Sequence, residues 1–250
     1  MDGFTYNNIF ETKGMEYLVI IAFFAILIHF WIVLNKKIRN KKRSGAPAHL
    51  TSESLSVPQG LFFSKYHTWA HLDRSGFAKV GLDDLLVRIT GEVTFTRFLE
   101  AGEKIKKGDF IAEVMQNGKA LRIYSPISGE VLESNALLVK NPEFLNEDPY
   151  QKGWIYKIKP YSWVTDTHSY FLAEDANMWA RQELVRFKDF VAESVAKYSS
   201  DPSAIVLQDG GELRNEPLSE LPAEIWQDFQ NEFLSKKLPC RNKKCFRNVD

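Results

Sequence analysis

Hydrophobic residues follow three different patterns along this chain of 250 residues. Near the N-terminus they form one continuous run, YLVIIAFFAILIHFWIVL, over Tyr17–Leu34. Between residues 61 and 160 they alternate with polar residues in short runs, and beyond residue 173 they recur every three or four positions. These patterns are typical of a membrane-spanning helix, of half-buried β-strands and of amphipathic helices, in that order. The sequence therefore predicts an α+β protein built from these three parts.

The continuous run predicts a single transmembrane helix over residues 15–35. As a helix it would extend about 27 Å, close to the hydrocarbon thickness of a bilayer. Six basic residues follow it in Lys36–Arg43, whereas Lys13 is the only basic residue before it. Because basic residues are enriched on the cytoplasmic side, residues 1–14 are predicted to be extracytoplasmic and the rest cytoplasmic, at a bacterial inner membrane. A cleaved signal peptide would show the opposite order of charges.

His29 lies within this apolar run. A polar side chain in a membrane segment is a candidate functional residue by default. Two interpretations stay open for it: a hydrogen bond to a neighbouring helix or to interfacial water, and ligation of a haem shared with another subunit.

Short β runs are predicted after a segment, residues 36–60, whose basic, Gly, Pro and Ser residues are typical of a juxtamembrane segment and linker. Glycine turns separate most of the runs, and Asn117-Gly118 is the strongest hairpin signal among them. Spacing of this kind predicts a β-sandwich or hybrid barrel over residues 61–162. The runs are FAKVGL (77–82), LVRIT (86–90), EVTFTRFL (92–99), DFIAEVM (109–115), ALRIYS (120–125) and GEVLES (129–134).

Residues 163–250 are predicted to form a C-terminal extension. Apolar residues at helical spacing predict two amphipathic helices, over residues 173–198 and 222–234, with a short hairpin between them. Six basic residues in 236–247 form a tail that is either solvated or attracted to anionic lipid or an acidic partner. Cys240 and Cys245 in this tail are at most half of a metal site and are interpreted as free thiols.

Charge and motifs narrow the possible functions. The chain has 32 basic and 32 acidic residues, so a net charge of zero gives no argument for nucleic-acid binding. Dinucleotide, P-loop, zinc-protease and serine-hydrolase motifs are absent from the sequence, and no catalytic or metal-ligating residues are predicted. His67 is interpreted as a structural hydrogen-bonding residue, since His71 would lie about 13 Å from it along a strand. The pair Asp83-Asp84 is interpreted as a turn or helix start.

Several motifs between residues 61 and 162 together resemble the H-protein of the glycine cleavage system. That family is a lipoyl carrier, and the resemblance implies a small β-sandwich of hybrid lipoyl-domain type. Each motif alone is weak, but their order and spacing are specific. They are KYHTW (65–69), FAKVGL (77–82), EAGEKIKKG (100–108), IYSPISGEV (123–131) and NPEFLNEDPYQKGWIYKI (141–158).

The resemblance also implies where a lipoyl-bearing lysine should stand. In the family it follows the glycine matched by Gly108 by ten residues and precedes the proline matched by Pro126 by eight. Both counts reach Gly118, and Lys119 stands one place later. A one-residue slip in a hairpin turns each side chain to the other face, so the sequence predicts that no cofactor is carried. The alternative is lipoate on Lys119, because a hairpin tip tolerates small shifts.

These observations predict a membrane-tethered, non-catalytic accessory subunit. Its expected partners are the lipid bilayer, through Tyr17–Leu34, and other subunits of a membrane-bound complex on the cytoplasmic face. A redox role for that complex rests only on the dithiol chemistry of the family. The alternative function is a membrane-anchored lipoyl carrier in which Lys119 bears the arm and passes electrons or a one-carbon unit to a membrane enzyme.

Overall fold

The computed structural model describes residues 9–35, 49–198, 207–208 and 212–235, and the chain divides into two compact units, Met1–Ser44 and Gly45–Asp250. In the first unit one helix is described, α1 (Ile9–Asn35), and its side chains from Tyr17 to Trp31 are exposed. Within the described ranges, no helix combines the length and apolarity needed to cross a membrane. The transmembrane helix predicted over residues 15–35 is therefore not supported. The basic run Lys36–Arg43 lies outside the described residues.

The described part of the second unit contains strands, most of them between residues 49 and 160, and helices, most of them beyond residue 137. Its strands are β1 (His49–Leu50), β2 (Phe62–Phe63), β3 (Thr68–Leu72), β4 (Ala78–Leu82), β5 (Thr94–Arg97), β6 (Lys104–Ile105), β7 (Phe110–Gln116), β8 (Lys119–Tyr124), β9 (Gly129–Ser134), β10 (Trp154–Pro160), β11 (Leu207–Gln208) and β12 (Glu212–Arg214). Its helices are α2 (Asp84–Thr90), α3 (Leu137–Lys140), α4 (Glu143–Glu147), α5 (Trp163–Thr167), α6 (Ala173–Tyr198), α7 (Pro217–Glu220) and α8 (Ala223–Phe229), which continues as a π-helical turn (Gln230–Leu234).

Two antiparallel sheets form the predicted β-sandwich. One sheet has the strand order β2-β3-β4-β10-β9-β6, and the other has the order β5-β7-β8. The alternation in the sequence explains the packing, since Leu121 and Ile123 of β8 are buried while Ala120 and Arg122, which alternate with them, are exposed. Strand β8 lies at the edge of its sheet, so among the described strands none pairs with one side of its backbone.

Helix α2 replaces a strand that the sequence predicted. The run LVRIT (86–90) is apolar and β-branched, but it belongs to α2. Asp83 caps this helix, because its side chain accepts a hydrogen bond from the Leu86 N–H at 2.8 Å, and Gly91 at φ 74 ends it. The prediction of a strand was wrong because a short helix that is buried on most sides has no exposed face to give a helical period.

The segment predicted as a linker packs against the rest of the unit from His49 onward. Strand β1 pairs with β12, and Leu50 is fully buried. The Arg88 guanidinium donates to the Ser54 carbonyl, and the Ser56 N–H donates to the Asp84 carboxylate at 2.8 Å. Gly, Pro and Ser in this stretch therefore mark irregular backbone, and this backbone is attached to the sandwich.

The C-terminal extension shares one core with the sandwich. Both predicted amphipathic helices are confirmed, as α6 and as α8 with its π-helical turn, and β11 and β12 lie in the predicted hairpin. Phe229 and Phe233 stack at 4.8 Å between ring centroids, and Phe187 of α6 packs edge-on against both. These rings belong to the same buried cluster as the sandwich interior. The basic tail with Cys240 and Cys245 lies outside the described residues.

Candidate functional site at the β7–β8 hairpin

Asn117 and Gly118 form the tip of the β7–β8 hairpin. Both have positive φ angles, 49° and 77°, as a two-residue type I′ turn requires. Gln116 and Lys119 face each other across the strands that flank the turn. Gly118, the position that the resemblance assigns to a lipoyl-bearing lysine, therefore lies at the apex, and a Cβ added there would meet no atom of the described residues within 4 Å. Lys119 is the first residue of β8.

The Lys119 side chain is bound to the C-terminal extension. Its Nζ donates to the carbonyl oxygens of Ser219 at 2.8 Å and Leu221 at 2.9 Å, and it lies 5.1 Å from the Trp226 ring centroid. The Trp226 indole N–H donates to the Leu218 carbonyl at 2.7 Å. Carbonyl groups at the C-terminal end of a helix lack hydrogen-bond donors within that helix. The side chains of Lys119 and Trp226 supply donors to the carbonyl groups at the end of α7. Burial lowers the pKa of the Lys119 ammonium.

Gln230 covers the edge of β8 next to this lysine. The Arg122 N–H donates to the Gln230 side-chain carbonyl at 2.6 Å, and the Gln230 amide nitrogen donates back to the Arg122 carbonyl at 3.2 Å. This pair of bonds is the one that a residue of a neighbouring strand would make. The extension therefore contacts β8 at two places, through carbonyls that bind Lys119 and through an amide that pairs with Arg122.

The contacts of Lys119 do not fit an attached lipoyl arm. Acylation would remove the positive charge and leave a single N–H on the side-chain nitrogen, whereas Ser219 and Leu221 both accept from it in this fold. One carbonyl would lose its donor, and the arm would have to leave beside the Trp226 ring. Gly118 has no side chain to carry the group.

His67, Asp83 and Glu183 form a second candidate site, a buried cluster of titratable side chains. His67 is 1% exposed, has a φ of 58° and lies just before β3. Its Nδ1 is 2.8 Å from an Asp83 carboxylate oxygen, and its Nε2 is 3.9 Å from a Glu183 carboxylate oxygen on α6. Burial lowers the pKa of His67, but the charges of Asp83 and Glu183 and the hydrogen bond outweigh burial and raise it above the usual 6.5.

The interpretation of His67 as a hydrogen-bonding residue is confirmed, and Asp83-Asp84 is confirmed as a helix start. The sequence offered no signal that Glu183, more than a hundred residues away, lies beside His67. His71 is elsewhere, with its Nδ1 at 3.2 Å from the Gly60 carbonyl oxygen. Among the residues that the structure describes, no group of three His, Cys, Asp or Glu side chains could hold a metal ion. His29 lies on the exposed surface of α1.

The sandwich and its hairpin define a lipoyl-domain type of protein. Residues 61–183 match the family model of the glycine cleavage H-protein. A probable glycine cleavage system H protein from Thermococcus kodakarensis is 38% identical over 104 residues, covering 42% of this chain and 77% of that protein. The glycine cleavage system H protein of Thermus thermophilus is 37% identical over 106 residues, covering 42% of this chain and 82% of that one. The chain belongs to the glycine cleavage H-protein family.

A solved structure is also similar to part of this chain. It is the crystal structure of a glycine cleavage system H protein from Mycobacterium marinum, 27% identical, with a TM-score of 0.39 over 42% of this chain and 86% of that one.

Proposed function

We propose that this protein is a non-catalytic accessory subunit, a member of the H-protein family that binds other proteins and carries no lipoyl group. The observation that carries the proposal is the pair of hydrogen bonds from the Lys119 ammonium to the Ser219 and Leu221 carbonyls. A lysine that serves as an attachment point must present a free amine to a modifying enzyme. Here that amine is committed to the C-terminal extension, and the apex beside it is a glycine.

The C-terminal extension supports the same proposal. It adds α6, α8 and the π-helical turn beyond what a small β-sandwich needs, and it covers the edge of β8. A carrier domain must offer its hairpin to several enzymes in turn, and an element packed on that hairpin restricts this access. A fold shared with carriers does not by itself imply their activity.

Intact mass spectrometry of the protein purified from its native host tests the proposal. The expected result is the unmodified mass for the wild type and for Lys119→Arg. A lipoyl increment that is present in the wild type and lost in Lys119→Arg would overturn the proposal.

A designed variant makes the same test independent of the host. Gly118→Lys places a lysine at the exposed apex, where the family count puts the attachment point. With a lipoate-activating ligase, ATP and free lipoate, we expect modification of Gly118→Lys and none of the wild type. The double variant Gly118→Lys/Lys119→Arg shows that the modified residue is the apical one. Equal modification of the wild type would contradict the proposal.

The second candidate function is a lipoyl carrier with lipoate on Lys119. It is favoured by the position of Lys119, which follows the hairpin tip directly and precedes the exposed Ala120. The curated relatives are named as H proteins of the glycine cleavage system. In this case the extension would have to release the lysine before the arm could be attached.

The partner and the location stay predictions from the sequence. We propose that the partner is a membrane-bound assembly, bound on the cytoplasmic face, on the basis of the apolar run Tyr17–Leu34 and the basic run Lys36–Arg43. Cell fractionation with alkaline washing tests the location, and co-purification in mild detergent tests the partner. Recovery in the supernatant, or purification without other subunits, would contradict this proposal.

A further inference from the structure

His67, Asp83 and Glu183 bring three titratable side chains from separate parts of the chain to one buried place. His67 precedes β3, Asp83 caps α2, and Glu183 lies in the middle of α6. The His67 side chain is 1% exposed, the Asp83 side chain 4% and the Glu183 side chain 12%. Asp83 is also joined to the His67 main chain, since its N–H donates to the His67 carbonyl at 3.1 Å. The cluster therefore links the sandwich to the extension.

The two ring nitrogens of His67 have different surroundings. Nδ1 is 2.8 Å from the Asp83 carboxylate, so it carries a proton in the neutral and in the charged ring alike. Nε2 has no hydrogen-bond partner among the residues that the structure describes, and it faces the Glu183 carboxylate at 3.9 Å. In the neutral ring this nitrogen presents a lone pair to a carboxylate, which is repulsive. In the imidazolium it presents an N–H, which is attracted to it.

The remaining neighbours complete the surroundings of the ring. The rings of Trp179 and Phe233 lie next to His67, with centroids at 5.4 Å and 6.1 Å from that of the imidazole. Arg186 is a further charged group that acts on His67, and its guanidinium pairs with Glu183 at 3.1 Å and with Glu232 at 3.4 Å. Arg186 opposes the charge on His67, but the two carboxylates outweigh it and leave the pKa of His67 raised.

We propose that Asp83, His67 and Glu183 form a proton-dependent joint that fastens α6 to the β-sandwich. The joint is complete when both ring nitrogens of His67 carry protons, since the imidazolium then contacts both carboxylates. Loss of the Nε2 proton leaves the Asp83 bond in place and removes the attraction to Glu183. The extension is then held more weakly along α6. This inference does not depend on whether Lys119 is modified.

The direction of the pH dependence follows from the raised pKa of His67. In the unfolded chain the ring titrates near 6.5, and in the folded chain it titrates at a higher pH. The joint therefore contributes its full stabilisation below about pH 6.5, and this contribution is lost as the pH rises through the folded-state pKa. A rise in pH through the folded-state pKa of His67 therefore weakens the attachment of α6.

Histidine ring titration by NMR on the full chain tests the joint, with His67→Asn to assign the His67 signal. Asparagine suits this position because it tolerates positive φ and its amide can donate to Asp83. We expect the His67 midpoint to lie above 6.5 and to move downward in Glu183→Gln. Glu232→Gln is the matched control, because it also removes a carboxylate bound to Arg186. We expect this variant to leave the His67 midpoint nearly unchanged.

Hydrogen exchange of the α6 amides measures the consequence. After correction for intrinsic exchange rates, we expect protection of α6 to fall in the wild type as the pH passes the His67 midpoint, and to be independent of pH in His67→Asn. A His67 midpoint at or below 6.5 would contradict the proposal. So would equal shifts in Glu183→Gln and Glu232→Gln, or α6 protection in the wild type that does not change with pH. The wild-type measurements decide the question even if a variant fails to fold.

Discussion

At the scale of single residues, the difference between Gly118 and Lys119 decides what the hairpin can do. The apex has no side chain, and the next residue directs its ammonium to two main-chain carbonyls of the extension. A hydrogen bond from a charged donor is stronger than one between neutral groups, and a buried acceptor that loses its donor is costly. Lys119 thus makes a structural contact between the hairpin and the extension, and it follows Gly118, the position to which the family resemblance assigns a lipoyl-bearing lysine.

Replacing Lys119 by methionine tests this structural role. Methionine keeps the apolar stem over Trp226 and removes the donor, so we expect a loss of about 1–3 kcal/mol in the free energy of unfolding. Urea unfolding followed by tryptophan fluorescence measures it. Lys152→Met is the matched control: Lys152 is an exposed residue whose Nζ pairs with Glu147, and its loss should cost less than about 1 kcal/mol. Equal losses in the two variants would contradict the role of Lys119.

The Asp83 carboxylate bonds to both the Leu86 N–H and the His67 ring, so its replacement should lower the free energy of unfolding through both contacts. In Asp83→Ala, α2 loses its cap and the His67 Nδ1 loses its acceptor. Loss of a cap costs about 1 kcal/mol and an unpaired buried polar group about 1–3 kcal/mol, so we expect about 3 kcal/mol in all. Asp83→Asn can still accept from the Leu86 N–H, and the loss should be smaller. Thermal or urea unfolding at pH 6 compares the two.

At the scale of elements, strands β4, β5, β7, β8 and β9 and helices α6 and α8 could be predicted from periodicity, whereas β3 and β10 were not among the predicted runs. The Asn117-Gly118 turn lies where the sequence placed it, because few residue pairs adopt two successive positive φ angles. Helix α2 was missed because it is short and buried on most sides. The attachment of residues 49–60 and the pairing of Gln230 with Arg122 depend on tertiary contacts, which leave no local pattern.

Gln230 is expected to stabilise the edge of β8, because its side chain pairs with the main chain of Arg122. In Gln230→Ala the Arg122 N–H and carbonyl lose their partners, and the edge of β8 is uncovered. We expect a loss of about 1–3 kcal/mol and a greater tendency to self-associate. Unfolding curves and light scattering measure the two effects. Gln227→Ala alters an exposed residue one turn earlier and should change neither, and self-association of both variants would contradict the role of Gln230.

At the scale of the whole molecule, the common core of sandwich and extension implies that they unfold together. Phe229 of α8 is completely buried and lies in the same cluster as Leu121 and Ile123 of β8. The extension cannot leave without exposing the sandwich interior. Residues 61–183, which match the family, therefore form only part of one larger folding unit.

Phe229→Ala tests this cooperativity. Truncating a buried phenylalanine costs about 3–5 kcal/mol, and the loss should appear in a single transition of the second unit. Circular dichroism and tryptophan fluorescence should report the same shifted midpoint. Phe77→Ala removes a ring that is 40% exposed and should shift the midpoint much less. Two separate transitions in Phe229→Ala would show that the extension unfolds independently.

The Gln230 amide has a further consequence for recognition. Because it pairs with both main-chain groups of Arg122, a foreign polypeptide cannot extend this sheet at that residue by lying alongside it. A partner that contacts the sheet at this residue must therefore recognise side chains and surface shape, so the specificity of such a contact would reside in residues that can change without altering the fold.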